Sequence, residues 1–408
     1  MSDRITAQIE RLGHLGDGIA PGPYFAPRML PGEVVSAVPE GSRLTQLRIE
    51  TPSADRIAAP CRHYKACGGC SLQHASDAFV ASWKEEVVRT ALAAQGLDAP
   101  FRDIHVVPPN SRRRATLSGR RLKKGALIGF HAAASDTVTD IPGCLILTPK
   151  LLAARAVLAE IVQAGASRSG EVALTVIDAE NGIDLSVRGG KPLDRELRTD
   201  LARLAGANGI VRFTWNGEPI AQEEPPVVRV DGIAVTPPPG AFLQATASSE
   251  AAIRADVAEA LSGAERVADL FAGCGTFALP LARSAEVIAV EGERESIDAL
   301  DAAWRNASGL KKITTIARDL FRRPLLPDEL AKVDGIVIDP PRAGAEAQMR
   351  EIAASNVPVV ASVSCSPATF ARDAAILVEA GFRIDWLRVV DQFRWSPHVE
   401  IVAKLSRG

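Results

Sequence analysis

The sequence has few aromatic residues, almost no net charge and no long apolar run. Aromatic residues make up 5% of the 408 residues and the formal net charge is −2, so the chain as a whole does not predict a polyanionic partner. A long uncharged stretch, residues 355–371, is interrupted by Ser, Asn, Pro and Thr and does not fit a membrane span. The first ten residues are charged and lack the apolar segment of a secretory signal. We therefore expect a cytoplasmic protein that does not contact membranes.

The rest of the composition is typical of a globular protein with two or three domains. Hydrophobic residues make up 47% and charged residues 24% of the chain. Six cysteines in a cytoplasmic chain indicate a metal, a cluster or catalysis rather than disulfides.

Positive charge is concentrated in the central part of the chain. Between Phe101 and His131 there are eight basic residues and one acidic residue, Asp103. Such a cluster attracts the phosphates of a nucleic acid, although a charge run by itself more often lies on a solvated surface. In a strand, Arg112 and Arg114 would share one face and Arg113 would take the other. The predicted RNA contacts are Arg112, Arg114, Arg120, Arg121, Lys123 and Lys124.

The first two parts of the chain differ in pattern. Residues 1–52 predict a small β module with strands at Thr6–Ile9 and Glu33–Val38, separated by glycine-rich turns. Residues 53–240 predict a mixed α+β domain with a helix at about 76–97, which we expect to pack on the third part. The apolar row of this helix is Phe79, Trp83, Val87 and Ala91.

The third part, residues 241–408, alternates strands with helices. Such alternation predicts an α/β domain of the Rossmann-like class, with helices on both faces of a mostly parallel sheet. We expect seven strands, of which the last is antiparallel.

A glycine turn follows the first strand of this third part. The segment Asp269-Leu-Phe-Ala-Gly-Cys-Gly-Thr-Phe277 has Gly273 and Gly275 where the backbone must turn tightly and approach a ligand. Glu291 ends the next strand, where an acid can accept hydrogen bonds from both ribose hydroxyls. A third glycine is missing, so a compact nucleoside such as S-adenosylmethionine fits better than NAD. The weaker alternative is a glycine turn in a domain without a ligand.

Two further strand ends carry reactive side chains. Cys365 ends the fifth strand, and Glu400 stands just before the last strand. The thiol can act as a nucleophile, although a free Cys is more often a small buried hydrophobe. The carboxylate can act as a general base, although a strand-end carboxylate is more often solvated.

Methylation of uracil at C5 would use both groups. Uracil C5 is a weak nucleophile, and addition of a thiolate at C6 turns C5 into a carbanion equivalent. A base must later remove the C5 proton so that the thiolate can leave. The charge that develops on O4 and N3 needs a partner, for which Gln244 and Asp339 are candidates.

The fourth strand ends in Asp339-Pro-Pro-Arg342. This segment resembles the Asp-Pro-Pro-aromatic signature of amino-methyltransferases, but Arg342 replaces the aromatic residue. An amino-methyltransferase is therefore an alternative enzyme, one that would not need Cys365. Asp319 follows the third strand at the same predicted sheet edge.

Four of the six cysteines have the spacing of a metal or cluster site. Cys61, Cys67 and Cys70 are spaced C-x5-C-x2-C, and Cys144 follows far downstream. Four thiolates suit either tetrahedral zinc or a [4Fe–4S] cluster, and the spacing alone does not decide between them.

Four motifs in this order resemble the RNA m5U methyltransferase family, of the RumA/TrmA type: Asp269–Phe277, Asp339–Ala343, Ser364–Pro367 and His398–Glu400. The resemblance implies that Cys365 is the nucleophile and that Glu400 is the base. It also implies a set of residues that bind the methyl donor or the target base: Gln244, Phe271, Thr276, Glu291, Asp319 and Asp339. Thr276 and Ser366 stand where the family commonly has Asn.

The resemblance further implies a [4Fe–4S] cluster on the four cysteines and an RNA-binding TRAM module at residues 1–52. These two features favour 23S rRNA over tRNA as the substrate. We expect a monomer. The non-enzyme alternative is an iron–sulfur RNA-binding protein on a degenerate methyltransferase fold.

Overall fold

A computed structural model of the protein describes residues 4–22 and 24–408. Residues 1–3 and 23 of the predicted β module lie outside the described residues. Within those described, no helix is long and apolar enough to cross a bilayer.

The N-terminal part is a six-stranded sheet with the order β1-β5-β6-β4-β3-β2. Its strands are β1 (Ile5–Gln8), β2 (Arg11–Leu12), β3 (Gly18–Ala20), β4 (Tyr24–Ala26), β5 (Val34–Glu40) and β6 (Arg43–Thr51). Ala20, Ala26, Val35 and Leu44 belong to four different strands and share one buried core, so the sheet curls around it. The two predicted strands correspond to β1 and β5. The sequence pattern missed the other four, three of which have only two or three residues.

The central part is built on a seven-stranded sheet with the order β10-β9-β8-β11-β12-β13-β14. Its elements and their connections are α1 (Asp77–Ala93), β7 (His105–Val106), β8 (Arg114–Arg121), β9 (Ala126–His131), β10 (Val138–Asp140), α2 (Pro149–Ala153), α3 (Arg155–Gly165), β11 (Glu171–Ala179), β12 (Gly182–Arg188), α4 (Arg195–Gly206), β13 (Ile210–Trp215), β14 (Glu218–Gln222), β15 (Val228–Val230) and β16 (Ile233–Val235). Buried side chains of α3 and α4 share one core with the sheet. Strands β15 and β16 form a separate hairpin that leads into the third part.

The C-terminal part is a doubly wound α/β domain. Its elements are α5 (Ala247–Ala260), β17 (Arg266–Leu270), α6 (Ala278–Leu281), β18 (Glu286–Glu291), α7 (Arg294–Asn306), β19 (Ile313–Ala317), α8 (Pro327–Leu330), β20 (Gly335–Ile338), α9 (Glu346–Ala354), β21 (Val359–Ser364), α10 (Pro367–Glu379), β22 (Phe382–Asp391) and β23 (Glu400–Arg407). The five strands from β17 to β21 are parallel, and β23 runs antiparallel between β21 and β22.

The sheet of this domain has eight strands rather than the predicted seven, in the order β19-β18-β17-β20-β21-β23-β22-β7. The additional strand, β7, comes from the central part and pairs in parallel with β22. The chain before β7 is already attached to this edge, because the amide of Arg102 donates to the carbonyl of Leu387 at 2.8 Å. The pattern could not predict a strand of two residues.

Helix α1 packs on the C-terminal domain, where Val88 and Leu92 join the core under α9 and α10. Its most buried row is Val80, Lys84, Val88 and Leu92. The predicted row also packs inward, since Trp83 is buried and Phe79, Val87 and Ala91 are partly buried. The most buried row lies one position further along, and a lysine occupies its middle.

Candidate active site and cysteine pocket

Cys365 and Glu400 are neighbours across two antiparallel strands. Ser364 at the end of β21 pairs with Ile401 of β23, so the next residues along each strand, Cys365 and Glu400, face each other. The carboxyl end of β20 lies beside β21, and Asp339 follows directly. Cys365 is half-buried and Glu400 is buried. The sheet thus assembles a thiol and two carboxyl groups from three strand ends.

Two glutamine side chains connect the carboxyl groups. Gln392 Nε2 donates to Glu400 Oε2 at 2.6 Å and to Gln244 Oε1 at 2.8 Å. Gln244 Nε2 donates in turn to Asp339 Oδ2 at 3.3 Å. Gln392 Oε1 accepts from the backbone amide of Ala245 at 2.9 Å, which fixes its orientation. A continuous hydrogen-bonded chain therefore runs from Glu400 to Asp339.

The pKa values of Glu400, Asp339 and Cys365 are all raised. Burial raises the pKa of Glu400 well above its ordinary value, and the neighbouring charge of Asp339 raises it further. Burial raises the pKa of Asp339 to about 7. Burial also raises the pKa of the Cys365 thiol to about 11; Glu400 and Asp339 add to this rise, and Arg342 opposes it. A thiolate at Cys365 therefore needs added positive charge nearby.

The glycine turn after β17 lies at the same edge of the sheet. Phe271 has a φ of 62°, Gly273 of 53° and Gly275 of 93°, so the backbone enters the left-handed region three times in five residues. At Gly275 a Cβ atom would also lie 2.4 Å from Leu300 Cδ1 of α7. The turn is thus specified by backbone conformation and by close helix packing. Thr276 is half-buried within it.

The acids that follow β18 and β19 along the sheet lie beside this turn. Glu291 accepts from the backbone amides of Gly273 at 2.9 Å and Glu293 at 2.8 Å. Asp319 accepts from the amide of Phe321 at 3.0 Å. The ring of Phe321, which is exposed, lies 5.4 Å from that of Phe271 between centroids. Carboxylates beside an open aromatic face suit the ribose and base of a nucleoside.

The four predicted metal-binding cysteines line one pocket, although Cys144 is far from the others in sequence. Cys61, Cys67, Cys70 and Cys144 share its wall with apolar side chains such as Phe130 and Ile141. The backbone amide of Gly69 donates to Cys67 Sγ at 3.3 Å. Burial raises the pKa of Cys144, and the amides of Ile146 and Leu147 oppose that rise. Burial and the neighbouring thiols raise the pKa of Cys70 to about 12.

The pocket does not gather its thiols around a single point. Among residues 4–22 and 24–408, no group of three or more His, Cys, Asp or Glu side chains is arranged to hold one metal ion. Thiols that repel one another as thiolates, and that already receive amide hydrogen bonds, fit a cationic inorganic group at the centre of the pocket.

Comparisons with known proteins identify the family. Residues 237–407 match the family model described as tRNA (Uracil-5-)-methyltransferase. An uncharacterized RNA methyltransferase of Rhizobium meliloti is 43% identical, over 98% of this chain and 99% of its own. The 23S rRNA (uracil(1939)-C(5))-methyltransferase RlmD of Shewanella sp. is 33% identical, over 99% of this chain and 96% of its own. This chain belongs to the RNA uracil-C5 methyltransferase family.

The resemblance seen in the four motifs is thereby confirmed, and the chain is an RNA methyltransferase. Its fold is similar to the crystal structure of Pyrococcus abyssi tRNA (uracil-54, C5)-methyltransferase in complex with S-adenosyl-L-homocysteine. The TM-score is 0.78 and the identity 22%, over 98% of this chain and 99% of that one.

The basic stretch of this RNA methyltransferase is used in part for contacts between the central and C-terminal parts. Arg113 pairs with the buried Glu250, and Arg114 donates to the carbonyls of Ala241 at 2.7 Å and Gly240 at 3.2 Å. Arg112 donates to the carbonyl of Arg114 at 2.9 Å. Arg120 and Arg121 are half-buried near the end of β8, whereas Lys123 and Lys124 are exposed in the turn before β9. Contact of the six predicted basic residues with RNA stays a prediction.

Sequence reasoning missed three residues of the methyltransferase site: Gln392, Phe321 and Lys84. Gln392 had a usable signal, because it follows β22 directly and so lies at the strand end nearest Glu400. Lys84 had one as well, because it is a charged residue four positions from Val80 and Val88 on a helix. Phe321 follows Asp319 by two residues, but its exposure is visible only in the structure.

Proposed function

We propose that this protein methylates C5 of a uridine in 23S rRNA, with S-adenosylmethionine as the methyl donor and Cys365 as a covalent nucleophile. The observation that carries the proposal is the pairing of Ser364 with Ile401, because it makes Cys365 and Glu400 direct neighbours at the sheet edge. An amino-methyltransferase would need neither this thiol nor its opposed carboxylate.

The bonds change in four steps. The Cys365 thiolate adds to C6 of uracil, and the enolate that results has its charge on O4 and N3. Carbon C5 then attacks the methyl group, whose bond to the sulfonium breaks to leave S-adenosylhomocysteine. Glu400 takes the C5 proton, and the C6–Sγ bond breaks to release methylated uridine and the thiolate.

Asp339 is the better candidate for the partner of uracil O4 or N3. Its pKa of about 7 leaves a large fraction of the carboxyl protonated at neutral pH, so it can donate a hydrogen bond to the developing oxyanion. Gln244 is buried, and its amide is already bonded to Asp339 and Gln392. We assign Gln244 to holding Asp339.

The donor binds in the crevice formed by the glycine turn. Glu291 accepts hydrogen bonds from the ribose, Asp319 and the rings of Phe271 and Phe321 contact the adenine, and Gly273, Gly275 and Thr276 line the turn. This assignment is supported by the carboxylates beside an exposed ring. The positive sulfonium would supply the charge that favours the Cys365 thiolate.

The four cysteines hold a [4Fe–4S] cluster that stabilises the central part. A zinc ion needs all four sulfurs about 2.3 Å from one point, whereas a cubane cluster spreads them over four iron atoms. The pocket that the four thiols share suits either group, and the family resemblance of the sequence motifs favours the cluster.

The N-terminal sheet is the RNA-binding TRAM module, and the β8–β9 turn adds phosphate contacts. The substrate assignment to 23S rRNA rests on the full-length similarity to the Shewanella enzyme. A tRNA uridine is the second candidate, because both the family model and the P. abyssi enzyme are named for tRNA as the substrate.

The test is to map 5-methyluridine in rRNA and tRNA from cells with and without this gene. The proposal predicts loss of one or more sites in 23S rRNA and no change in tRNA. Return of the modification on re-expression of the wild type, but not of a Cys365→Ala variant, ties it to this site. Loss confined to tRNA would establish the second candidate instead.

A further inference from the structure

A buried lysine ties together the two ends of the loop that precedes Glu400. This loop, residues 392–399, joins β22 to β23. Lys84 Nζ donates to Asp391 Oδ1 at 2.5 Å, to the Phe393 carbonyl at 3.2 Å and to the His398 carbonyl at 2.8 Å. Asp391 ends β22 directly before the loop, Phe393 lies at the start of the loop, and His398 lies near its end.

Lys84 belongs to a different part of the chain from the loop that it holds. Its side chain is 0% exposed, and its three N–H donors match three acceptors. A buried ammonium is tolerated only when it is paired and hydrogen-bonded in this way. Helix α1 therefore makes a specific polar contact here, in addition to its apolar packing on the domain.

The middle of the loop is hydrogen-bonded to the two residues that follow Cys70. The carbonyl of Trp395 accepts from the amides of Ser71 at 2.8 Å and Leu72 at 3.0 Å, directly after Cys70 in the sequence. Trp395 has a φ of 60°, which a bulky residue adopts only when its surroundings impose it. The loop is thus fixed from outside the sheet at its ends and at its centre.

The geometry at the ends of the loop is transmitted to the base. Gln392 follows Asp391, and its amide donates to the Glu400 carboxylate at 2.6 Å. Glu400 itself lies two residues after His398, whose carbonyl Lys84 holds. A shift of either end would move the carboxylate relative to Cys365, on the neighbouring strand.

We infer that Lys84 is a positioning residue for the general base: it fixes the loop 392–399 so that Glu400 meets the C5 proton after methyl transfer. This inference rests on the proposed function. Lys84 is buried and does not touch the substrate, so its loss should affect proton removal more than addition or methyl transfer.

The test separates those steps with two labels. Full-length protein is given an unmodified 23S rRNA transcript that carries tritium at uridine C5, together with S-adenosylmethionine labelled in the methyl group. In a single turnover the wild type should transfer one methyl for each tritium released. Lys84→Met should bind donor normally and transfer methyl, yet release tritium at least about tenfold more slowly, since a general base contributes roughly 10²–10⁴-fold. Protein–RNA adduct should accumulate on denaturing gels.

Two further variants complete the design. Lys150→Met is the control for the same chemical change at an exposed lysine, because Lys150 also bonds one carboxylate and one carbonyl, those of Asp178 and Ala179, on another element; it should behave as the wild type. If Lys84→Met does not fold, the double change Lys84→Met with Asp391→Asn removes the ion pair without leaving a buried charge and should give the same adduct.

The alternatives give different results. Equal losses of methyl transfer and tritium release would show a general structural role and overturn the inference. A folded Lys84→Met variant with the wild-type ratio of methyl transferred to tritium released would also overturn it. A wild type that transfers methyl to RNA with no tritium release would refute the proposed function itself.

Discussion

The ionisable side chains of the site give it a definite pH dependence. The pKa of Cys365 is raised to about 11 and that of Glu400 is raised as well, so both groups hold their protons more tightly than usual. The reaction needs the thiolate first and the carboxylate later. Both active forms are therefore lost as the pH falls.

The single-turnover rate of methylation should accordingly rise with pH between about 5 and 7 and level off above it, because Asp339, whose pKa is about 7, then loses the proton that it donates to uracil. Where formation of the thiolate limits the rate, the rise approaches about tenfold per pH unit, because the thiolate fraction changes by that factor below its pKa. The measurement is methyl transfer to 23S rRNA at saturating donor, with protein stability checked at each pH. A rate that is constant between about pH 5 and 7 would contradict the raised pKa of Cys365.

Replacement of Glu400 should block only the last chemical step. Glu400→Gln keeps the size of the side chain but cannot accept the C5 proton, so methylated RNA should remain attached to Cys365 and appear as a slow band on denaturing gels. Glu286→Gln is the control, because Glu286 also begins a strand of this sheet but is exposed at the opposite edge. Loss of reaction with no adduct would assign Glu400 to an earlier step.

At the scale of elements, the pocket lined by the four cysteines leads to a prediction about metal content. Protein purified without oxygen should contain about four irons per chain. Changes of Cys61, Cys67, Cys70 or Cys144 to Ser should each lower the iron content and reduce thermal stability, measured by metal analysis and melting. Cys274→Ser should leave the iron unchanged, because Cys274 lies in the glycine turn. Stoichiometric zinc without iron would refute the cluster.

The turn between β8 and β9 offers the cleanest test of RNA contact. Arg114 also holds the C-terminal domain through two carbonyls, so its removal would mix two effects. Lys123→Ala with Lys124→Ala removes only exposed charges and should lower the log–log slope of RNA affinity against salt by about two.

Lys311→Ala with Lys312→Ala is the matched control for this pair, since these lysines are also consecutive and exposed but belong to the catalytic domain. Donor affinity should be unchanged in both variants. An unchanged salt slope for the Lys123 and Lys124 pair would mean that the RNA path lies elsewhere.

Some elements could be predicted from the sequence far better than others. All seven strands from β17 to β23 were expected, because most of them are apolar runs between clear turn signals. Strands β2 to β4 and β7 have two or three residues and exist through pairing with distant strands, which no local pattern encodes.

At the scale of the whole molecule, the residue types of the site were predictable but their connections were not. Cys365, Glu400, Glu291 and Asp339 stand at strand ends, and parallel topology brings strand ends together. Lys84 and Asp391 are 307 residues apart in sequence, so their contact depends on how α1 docks on the finished sheet. Gln392 stands at a strand end as well, but the bonds from its amide to Gln244 and Glu400 depend on side-chain positions that the sequence does not encode.

The central claim is that Cys365 forms a covalent bond to uracil in RNA. The most direct measurement uses a 23S rRNA transcript that contains 5-fluorouridine, incubated with the protein and S-adenosylmethionine, followed by mass mapping of the RNA-linked peptide. Fluorine at C5 cannot leave as a proton does, so the methylated adduct should persist and map to Cys365. It should be absent from Cys365→Ala and present in Cys274→Ala. An adduct at another residue, or normal methylation of 23S rRNA by Cys365→Ala, would contradict the account.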